Sequence, residues 1–407
     1  MPHAAPHANL CSMKARTEQA VHTREVAALF LRLGCTAFGG PAAHIAMMRR
    51  EVVEKRGWLE AQEFLDLVGA VNLVPGPNST ELALHIGQRR AGWPGYFAAG
   101  FGFIMPAVLL VLLLAMLYER FGALPLSQGI LRGVAPVVVA IILHALIRFF
   151  PTAVKNRVTA VIAVLAFAAA LWLRVELPIL CVAAVIGLLL PRASTVEFDR
   201  TSSRPQEAKE MQNPHAAILF ALPAVVWPPL VVPVFWTFLK IGSVLYGSGY
   251  VLIAFLQAEV VDKLKWVSSQ QLLDGIAVGQ FTPGPLFTTA TFIGYQIGGV
   301  PTAIAATVGI FLPAFVFVAL LAGFWKKLRA ASWARGFLDS INAASFALMA
   351  VATLDLARGA LWNSDGNTLR VVPLVLFFLS LALLLRTKIN STWLIAAGAV
   401  CGAVLTL

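Results

Sequence analysis

The chain contains one long sequence pattern twice, with about 208 residues between equivalent positions. The first copy opens with FLRLG at Phe30, the second opens with FLKIG at Phe238, and each contains a later Pro-Gly-Pro. About a third of the positions in residues 30–80 are identical to their mates, and with one deletion the correspondence continues to Pro106 and Pro313. Such duplications build two related structural units, and many membrane transporters form a binding site between them.

The composition places both copies in a membrane. Hydrophobic residues make up 59% of the chain, charged residues only 13%, and the mean hydropathy is +0.79, whereas soluble domains have roughly a quarter charged residues. We therefore expect an all-α, polytopic integral membrane protein with two homologous repeats. Apolar stretches suited to a hydrocarbon core of about 30 Å occur at 94–118, 128–149, 156–173, 175–191, 301–325, 336–357, 369–386 and 391–407.

Changes in composition divide the chain into five parts. Residues 1–23 form a polar N-terminal tail, 24–191 the first repeat, 192–214 a polar linker, 215–235 a connecting apolar segment, and 236–407 the second repeat. The linker is rich in Ser, Pro, Glu and Arg, which is typical of a flexible cytoplasmic segment.

The basic residues predict that the two repeats have opposite orientations. We assume that the opening elements return to the side they entered, that four spans follow in each half, and that the connecting segment crosses. About 22 Lys and Arg residues then lie on one side of the membrane and about 6 on the other. The positive-inside rule makes the richer side cytoplasmic. The number of crossings stays open, because a full first crossing without a connecting span also inverts the halves.

Glycine and proline interrupt each repeat twice. Because proline removes a helical hydrogen bond, these positions predict broken or re-entrant helices, and non-helical backbone at membrane depth survives only beside protein or a water-filled cavity. Tight packing of helices through small residues is the alternative for the glycines. The structural breaks are Gly39, Gly40 and Pro41, then Pro75, Gly76 and Pro77, and in the second repeat Gly247, Ser248 and Gly249, then Pro283, Gly284 and Pro285.

The two Pro-Gly-Pro breaks are candidates for an anion site. A helix that starts after each break exposes unpaired N–H groups and a positive dipole end, and two such ends facing each other would bind an oxyanion. Local capping of the same helices is the alternative. The candidate binding residues are Gly39, Gly40, Asn72, Asn78, Ser79 and Thr80 in the first repeat and Ser248, Gln280, Thr282, Thr288 and Thr289 in the second.

Two cations occupy equivalent positions inside apolar runs, Arg32 and Lys240. A cation at membrane depth costs several kcal/mol and is functional by default, so both are candidate substrate ligands. The alternative is that each side chain reaches the headgroups. Equivalent acids such as Glu51 and Glu259 are expected to pair with neighbouring Lys and Arg.

Ionisable residues beside the breaks, His44, Glu81 and His85, are candidates to carry a coupling proton, with local hydrogen bonding to the backbone as the alternative. No phosphate-binding loop, metalloprotease motif or serine-nucleophile motif occurs, no metal site or cofactor is expected, and the basic residues form no stripe suited to nucleic acid. We therefore expect the protein not to be an enzyme.

Four segments together resemble the chromate ion transporter family, in particular its long, two-domain members. The resemblance covers almost the whole chain from Arg24 onward. The segments are FLRLGCTAFGGPAAHIAMMRREVVEKRGWL, NLVPGPNSTELALHIG, FLKIGSVLYGSGYVLIAFLQAEVV and GQFTPGPLFTTATFIGY. Motif positions of the family carry over to residues 39–41 and 75–81, and the second repeat departs from them at Ser248-Gly249 and at residues 286–289.

The resemblance implies an exporter in the cell inner membrane that expels chromate, confers chromate resistance, and is driven by the membrane potential or proton motive force. The expected partners are the chromate or sulfate anion and the lipid bilayer, with a second copy of the chain as a candidate for a homodimer. A sulfate or other oxyanion permease is the nearest alternative. A passive anion channel and an enzyme acting on lipid-linked phosphates are more distant ones.

Overall fold

The computed structural model describes residues 6–72, 74–173, 175–189, 229–246, 249–321, 332–362, 370–387 and 389–405. These parts of the chain contain helices and short connections and no β-strand. The expected all-α fold is confirmed. The linker 192–214, most of the connecting segment 215–235, and Gly247 and Ser248 lie outside the described residues.

Helices of very different length make up the first repeat, from 10 residues in the second helix to 44 in the fourth. A π-helical turn, Arg50–Lys55, extends the second helix. The helices are α1 (Pro6–Thr36), α2 (Gly40–Arg49), α3 (Ala61–Val71), α4 (Asn78–Phe121), α5 (Pro125–Ala153), α6 (Arg157–Leu173) and α7 (Glu176–Leu189).

The second repeat has the same order of elements. A π-helical segment, Leu256–Lys263, follows its second helix, and a 3-10 turn, Leu286–Thr288, follows its Pro-Gly-Pro. The helices are α8 (Val231–Val244), α9 (Val251–Phe255), α10 (Ser269–Phe281), α11 (Thr289–Gly298), α12 (Val300–Leu321), α13 (Ser332–Leu361), α14 (Val371–Arg386) and α15 (Ser391–Val404).

Helix length and composition support a multi-pass membrane protein. In the described parts of the chain, four helices are long and apolar enough to cross a bilayer, namely those at Asn78–Phe121, Pro125–Ala153, Val300–Leu320 and Arg335–Leu361. The helices α6, α7, α14 and α15 are apolar but have only 14 to 17 residues. They are shorter than the roughly 20 residues of a typical span, although each coincides with a predicted apolar stretch.

Glycine conformation explains where the opening helices end. Gly39 and Gly40 have φ angles of 105° and 78°, and the helix α2 starts immediately afterwards with Pro41 in its first turn. In the two Pro-Gly-Pro segments, Gly76 has φ 142° and Gly284 has φ 98°. These left-handed angles strain any residue with a Cβ atom, so the breaks are fixed locally by the sequence.

The helix α4 doubles back on itself, and its second arm contains the predicted apolar stretch 94–118. Ala91 and Gly92 leave helical geometry, with Gly92 at φ 65°. A Cβ atom on Gly87 would collide with the backbone of Gly95, so the two arms lie against each other. The second repeat turns in the same way at Gly299, φ 77°, between α11 and α12. Each Pro-Gly-Pro is thus followed by a re-entrant arm and then a full crossing.

The two repeats exchange their terminal helices. Within each repeat the first helix packs on the crossing helix, α1 on α4 and α8 on α12. The central helix α5 packs on α14 and α15 of the second repeat, and its counterpart α13 packs on α6 and α7 of the first. Small residues permit the close crossings, since Gly133 faces Gly398 and Gly402 while Gly187 faces Gly336. The repeats therefore form one intertwined body.

Two boundaries differ from the composition-based division. The helix α1 starts at Pro6 and continues past residue 23 without a break, and the Gln19 side chain donates to the carbonyl of Ala91 at 3.3 Å. The helix α8 starts at Val231, so residues 231–235 belong to the first helix of the second repeat. Composition marks polarity, whereas a helix ends only where the backbone is interrupted.

Candidate functional site

The two Pro-Gly-Pro breaks face one cavity, which we call the tip cavity. It has a volume of about 220 Å³. On one side it is lined by Pro77, Asn78 and Ser79, where α4 begins, and on the other by Pro285, Leu286 and Phe287, where the 3-10 turn begins; Pro41, Ala42, Ile45 and Gly249 complete the wall. The two interrupted elements thus meet, although they are separated by about 208 residues in sequence.

A crossed pair of backbone hydrogen bonds holds the two breaks together. The N–H of Gly76 donates to the carbonyl of Leu245 at 2.7 Å, and the N–H of Gly284 donates to the carbonyl of Ala37 at 2.9 Å. Gly76 and Gly284 are repeat mates, and so are Ala37 and Leu245. Each Pro-Gly-Pro is therefore fixed by the end of the first helix of the other repeat. This arrangement has the pseudo-two-fold symmetry expected of inverted repeats.

Helix starts at the cavity leave donors available. At the start of α4 the N–H groups of Thr80 and Glu81 donate to the carbonyl of Pro77, at 2.8 and 3.1 Å. No side chain caps this helix. The first N–H groups of a helix, here those of Asn78 and Ser79, have no intrahelical acceptor. These two residues line the tip cavity, so their amides are suitably placed for an anion.

Buried polar atoms without partners cluster around the breaks. Among the described residues, the hydroxyls of Thr80 and Thr289, the side-chain nitrogen of Gln280 and both carboxyl oxygens of Glu81 are buried and make no hydrogen bond. Native proteins satisfy nearly all buried polar groups, so such a cluster marks a functional region or an ordered ligand. Glu81 and Thr289 are repeat mates, so the carboxyl group at this position occurs only in the first repeat.

Other predicted polar residues are engaged locally. The Asn78 side chain donates to Asn72 at 2.8 Å, and Asn72 is exposed outside the tip cavity. Thr288 donates to the carbonyl of Pro285 at 2.9 Å, and Thr282 donates to that of Gly279 at 3.2 Å. In both bonds a hydroxyl donates to a backbone carbonyl, and no side chain caps the helix starts that follow the second Pro-Gly-Pro.

The two histidines lie behind the breaks. His44 is buried, and its Nε2 is 3.0 Å from the Ala37 carbonyl, the same oxygen that accepts from Gly284. His85 is buried on α4, one turn after Glu81 and on the same face. Both could influence a proton at Glu81 without lining the tip cavity.

The structure does not bring Arg32 and Lys240 to the tip cavity. Arg32 lies 2.5 Å from Glu51, and Lys240 lies 2.6 Å from Glu259, so each cation pairs with an acid of its own repeat. Lys55 also pairs with Glu51 at 2.7 Å, and together with Arg32 it holds the pKa of the Glu51 carboxyl below its ordinary value. The predicted pairing of Glu51 and Glu259 with neighbouring cations is present, and the Arg32 side chain is about half exposed.

A second, larger cavity adjoins the first. It has a volume of about 670 Å³, shares Pro41 and Ala42 with the tip cavity, and includes Gly39, Tyr250, His144, Arg148 and Asn390 in its wall. We call it the basic vestibule. Sequence reasoning missed His144, Arg148, Tyr250 and Asn390, because Arg148 looks like a loop cation at the end of an apolar stretch and the others come from distant elements.

Comparison with known proteins identifies relatives over nearly the whole chain. The sequence model of the family described as "Chromate transporter" matches residues 24–189 and 232–403. A "Chromate transport protein" of Cupriavidus metallidurans is 30% identical over 385 residues, covering 92% of this chain and 91% of the relative. A "Chromate transport protein" of Pseudomonas aeruginosa is 32% identical over 388 residues, covering 92% and 90%. No solved structure matches the chain.

Proposed function

This chain belongs to the chromate transporter family, and from that premise we propose that it exports chromate across the cell inner membrane and binds the anion in the tip cavity. The observation that carries the proposal is the meeting of the two Pro-Gly-Pro breaks, held by the crossed Gly76 and Gly284 hydrogen bonds. The relatives named as chromate transport proteins support the substrate.

Chemistry at the tip cavity suits a tetrahedral dianion. Its volume of about 220 Å³ equals roughly seven water molecules of the liquid, enough for one oxyanion with part of its hydration shell. The amides of Asn78 and Ser79 provide donors at a positive helix end. Thr80, Gln280 and Thr289 have buried donors without partners close to the breaks in sequence, although they are not part of the cavity lining.

Energy for export comes from the membrane potential. Moving one charge across 100 mV is worth about 2.3 kcal/mol, so a dianion that leaves a negative interior gains about 4.6 kcal/mol. The excess of basic residues on one side assigns that side to the cytoplasm. Ion pairs within the structure agree with this assignment, since Arg90 pairs with Glu25, and Lys155 with Asp339, all expected on the cytoplasmic side.

A proton at Glu81 would lower the electrostatic cost of binding the dianion. The Glu81 carboxyl lies at the same helix start as the proposed dianion, with no hydrogen-bond donor among the described residues. Two like charges in a site of low dielectric repel strongly. We propose that the anion binds when Glu81 carries its proton, which links transport to pH without requiring His44 or His85 to line the site.

Sulfate is the competing substrate. The donors of the tip cavity are amides, hydroxyls and a carboxamide, and such groups recognise the charge and tetrahedral shape that chromate and sulfate share. Preference between the two dianions is therefore the feature to measure.

Everted membrane vesicles provide the experiment. Vesicles that contain the protein should take up labelled chromate with saturation, and unlabelled sulfate should compete more weakly than unlabelled chromate. Ser79→Leu places a larger side chain at the wall of the tip cavity and should reduce chromate uptake, whereas the control Thr23→Ala, at a partly exposed position on α1, should leave uptake unchanged. Equal competition by neutral solutes, or sulfate uptake without chromate uptake, would refute chromate export.

A further inference from the structure

The basic vestibule has a counterpart on the opposite side of the molecule, at equivalent sequence positions. The helix α5 contributes Ile141, His144, Ala145 and Arg148 to the vestibule. Adding the repeat offset of 207 residues gives Leu348, Val351, Ala352 and Asp355, and all four line a small pocket at α13. The helices agree with this offset, because α5 starts at Pro125 and α13 starts at Ser332.

Of the remaining walls, only the part formed by the terminal helices is equivalent, because the vestibule also includes residues 39 and 41–43 whereas the small pocket includes Ala254, Gln257 and Asp262. The vestibule is closed by the α14–α15 connection, which contributes Asn390, whereas the small pocket is closed by the α6–α7 connection, which contributes Glu176. Because the terminal helices are exchanged between the repeats, each cavity is formed by both halves of the chain. We call the second cavity the acidic pocket, since its wall contains Glu176, Asp262 and Asp355.

Charge distinguishes the two cavities. No Asp or Glu occurs among the described residues that line the basic vestibule, and Arg148 makes no ion pair with any part of the chain that the structure describes. The Asn390 side chain accepts from the N–H of Thr392, and its amide nitrogen faces Gly39. One cavity therefore offers a cation and amide donors, and its mate offers carboxylates.

Size distinguishes them too. The basic vestibule has about 670 Å³, whereas the acidic pocket has about 20 Å³, room for little more than one water molecule. Only the basic vestibule adjoins the tip cavity, through Pro41 and Ala42. The charge bias that sets the topology places Arg148 on the cytoplasmic side and Asp355 on the opposite one.

We propose that Arg148, together with His144 and Asn390, forms a loading site that collects the oxyanion dianion on the cytoplasmic side before it enters the tip cavity. This inference rests on the proposed function. A cationic wall raises the local concentration of an anion and its association rate.

The loading site is tested in everted vesicles, where the cytoplasmic face is outside. The variant Arg148→Gln should raise the KM for chromate about tenfold at low ionic strength and change the maximal rate by less than about twofold. The difference should shrink at high salt, because screening removes the attraction. Arg148→Lys should restore the wild-type KM, since it restores the charge.

A matched control separates location from net charge. Arg157→Gln removes one positive charge from an exposed residue on the same side, outside the vestibule, and should leave the KM unchanged.

The possible results distinguish this inference from the proposed function. If the wild-type protein transports neither chromate nor sulfate, the proposed function fails. If the wild type transports chromate but Arg148→Gln has the same KM as the wild type, or loses only maximal rate with no dependence on salt, the loading site is wrong.

Discussion

The residues predicted to act at the Pro-Gly-Pro breaks are of three kinds: hydrogen-bond donors, one acid, and cations that lie away from the breaks. Asn78 and Ser79 line the tip cavity, Glu81 lies buried behind them, and Arg32 is outside. The sequence was sufficient to nominate the donors, because a proline break followed by Asn, Ser and Thr is a local signal. It was insufficient for Arg32, because an apolar neighbourhood in sequence does not reveal that Glu51 lies beside it in space.

Glu81→Gln tests the proton link. The carboxamide has no charge at any pH, so it resembles the protonated acid that we propose for the anion-bound state. Chromate uptake by wild-type vesicles should fall as the pH is raised across the range in which Glu81 loses its proton. Uptake by the variant should stay constant over that range. A variant whose uptake falls in parallel with the wild type would exclude Glu81 as the group responsible.

Arg32→Gln tests the position of the cation outside the site. Glu51 keeps Lys55 and Arg56 as partners at 2.7 and 3.7 Å, and a half-exposed ion pair is worth about 0–1 kcal/mol. We expect a small loss of thermal stability and an unchanged KM for chromate. Lys240→Gln should behave in the same way at Glu259. A KM raised about tenfold in both variants would return these cations to the substrate site.

At the level of helices, the breaks were predictable from the sequence, whereas the pairing of the two breaks was not. Glycine and proline fix the ends of α1, α2 and α3 locally, so the interruptions follow from the sequence. The meeting of Gly76 with Leu245, and of Gly284 with Ala37, depends on contacts between residues in different repeats. Only the duplication itself indicated a shared axis for the two breaks, and it gave no distance.

Gly284→Ala tests the contribution of the break to stability. Gly284 has φ 98°, and an added Cβ would lie 2.8 Å from the Cβ of Ala107, so backbone strain and a collision combine. We expect a loss of about 1–3 kcal/mol, seen as a lower melting temperature in detergent, together with reduced transport. Gly359→Ala is the matched control, because nothing lies within 4 Å of its added Cβ and the residue is in a helix.

That control should be neutral or slightly stabilising, since alanine favours the helix by up to about 1 kcal/mol over glycine. A Gly284→Ala protein as stable and active as Gly359→Ala would show that the crossed hydrogen bonds are not needed to hold the breaks together.

The whole molecule is an intertwined pair of inverted repeats. Its two equivalent cavities, the basic vestibule and the acidic pocket, carry opposite charge. Composition and the distribution of Lys and Arg predicted the membrane location and the inversion. In the exchange of terminal helices, α14 and α15 pack on α5, whereas α6 and α7 pack on α13. This exchange was not predictable, because apolar stretches of similar composition do not specify which helices pack together. The opposite charges of Arg148 and Asp355 became meaningful only once both were seen in equivalent cavities.

For the molecule as a whole, we expect chromate transport to depend on the membrane potential. In proteoliposomes with the cytoplasmic face outside, a potential of 100 mV, negative outside, should drive chromate inward, with a gain of about 4.6 kcal/mol for two charges. That gain corresponds to an equilibrium accumulation of roughly two-thousandfold. Accumulation that tracks a pH gradient and ignores the potential would show electroneutral exchange.

The position of bound chromium tests the central claim most directly. Crystals of the protein soaked in chromate, measured at the chromium absorption edge, should show an anomalous peak in the tip cavity, between Asn78 and Ser79 on one side and Leu286 and Phe287 on the other. A fully occupied peak beside Arg32 and Lys240, with none between the two helix starts, would contradict a shared anion site.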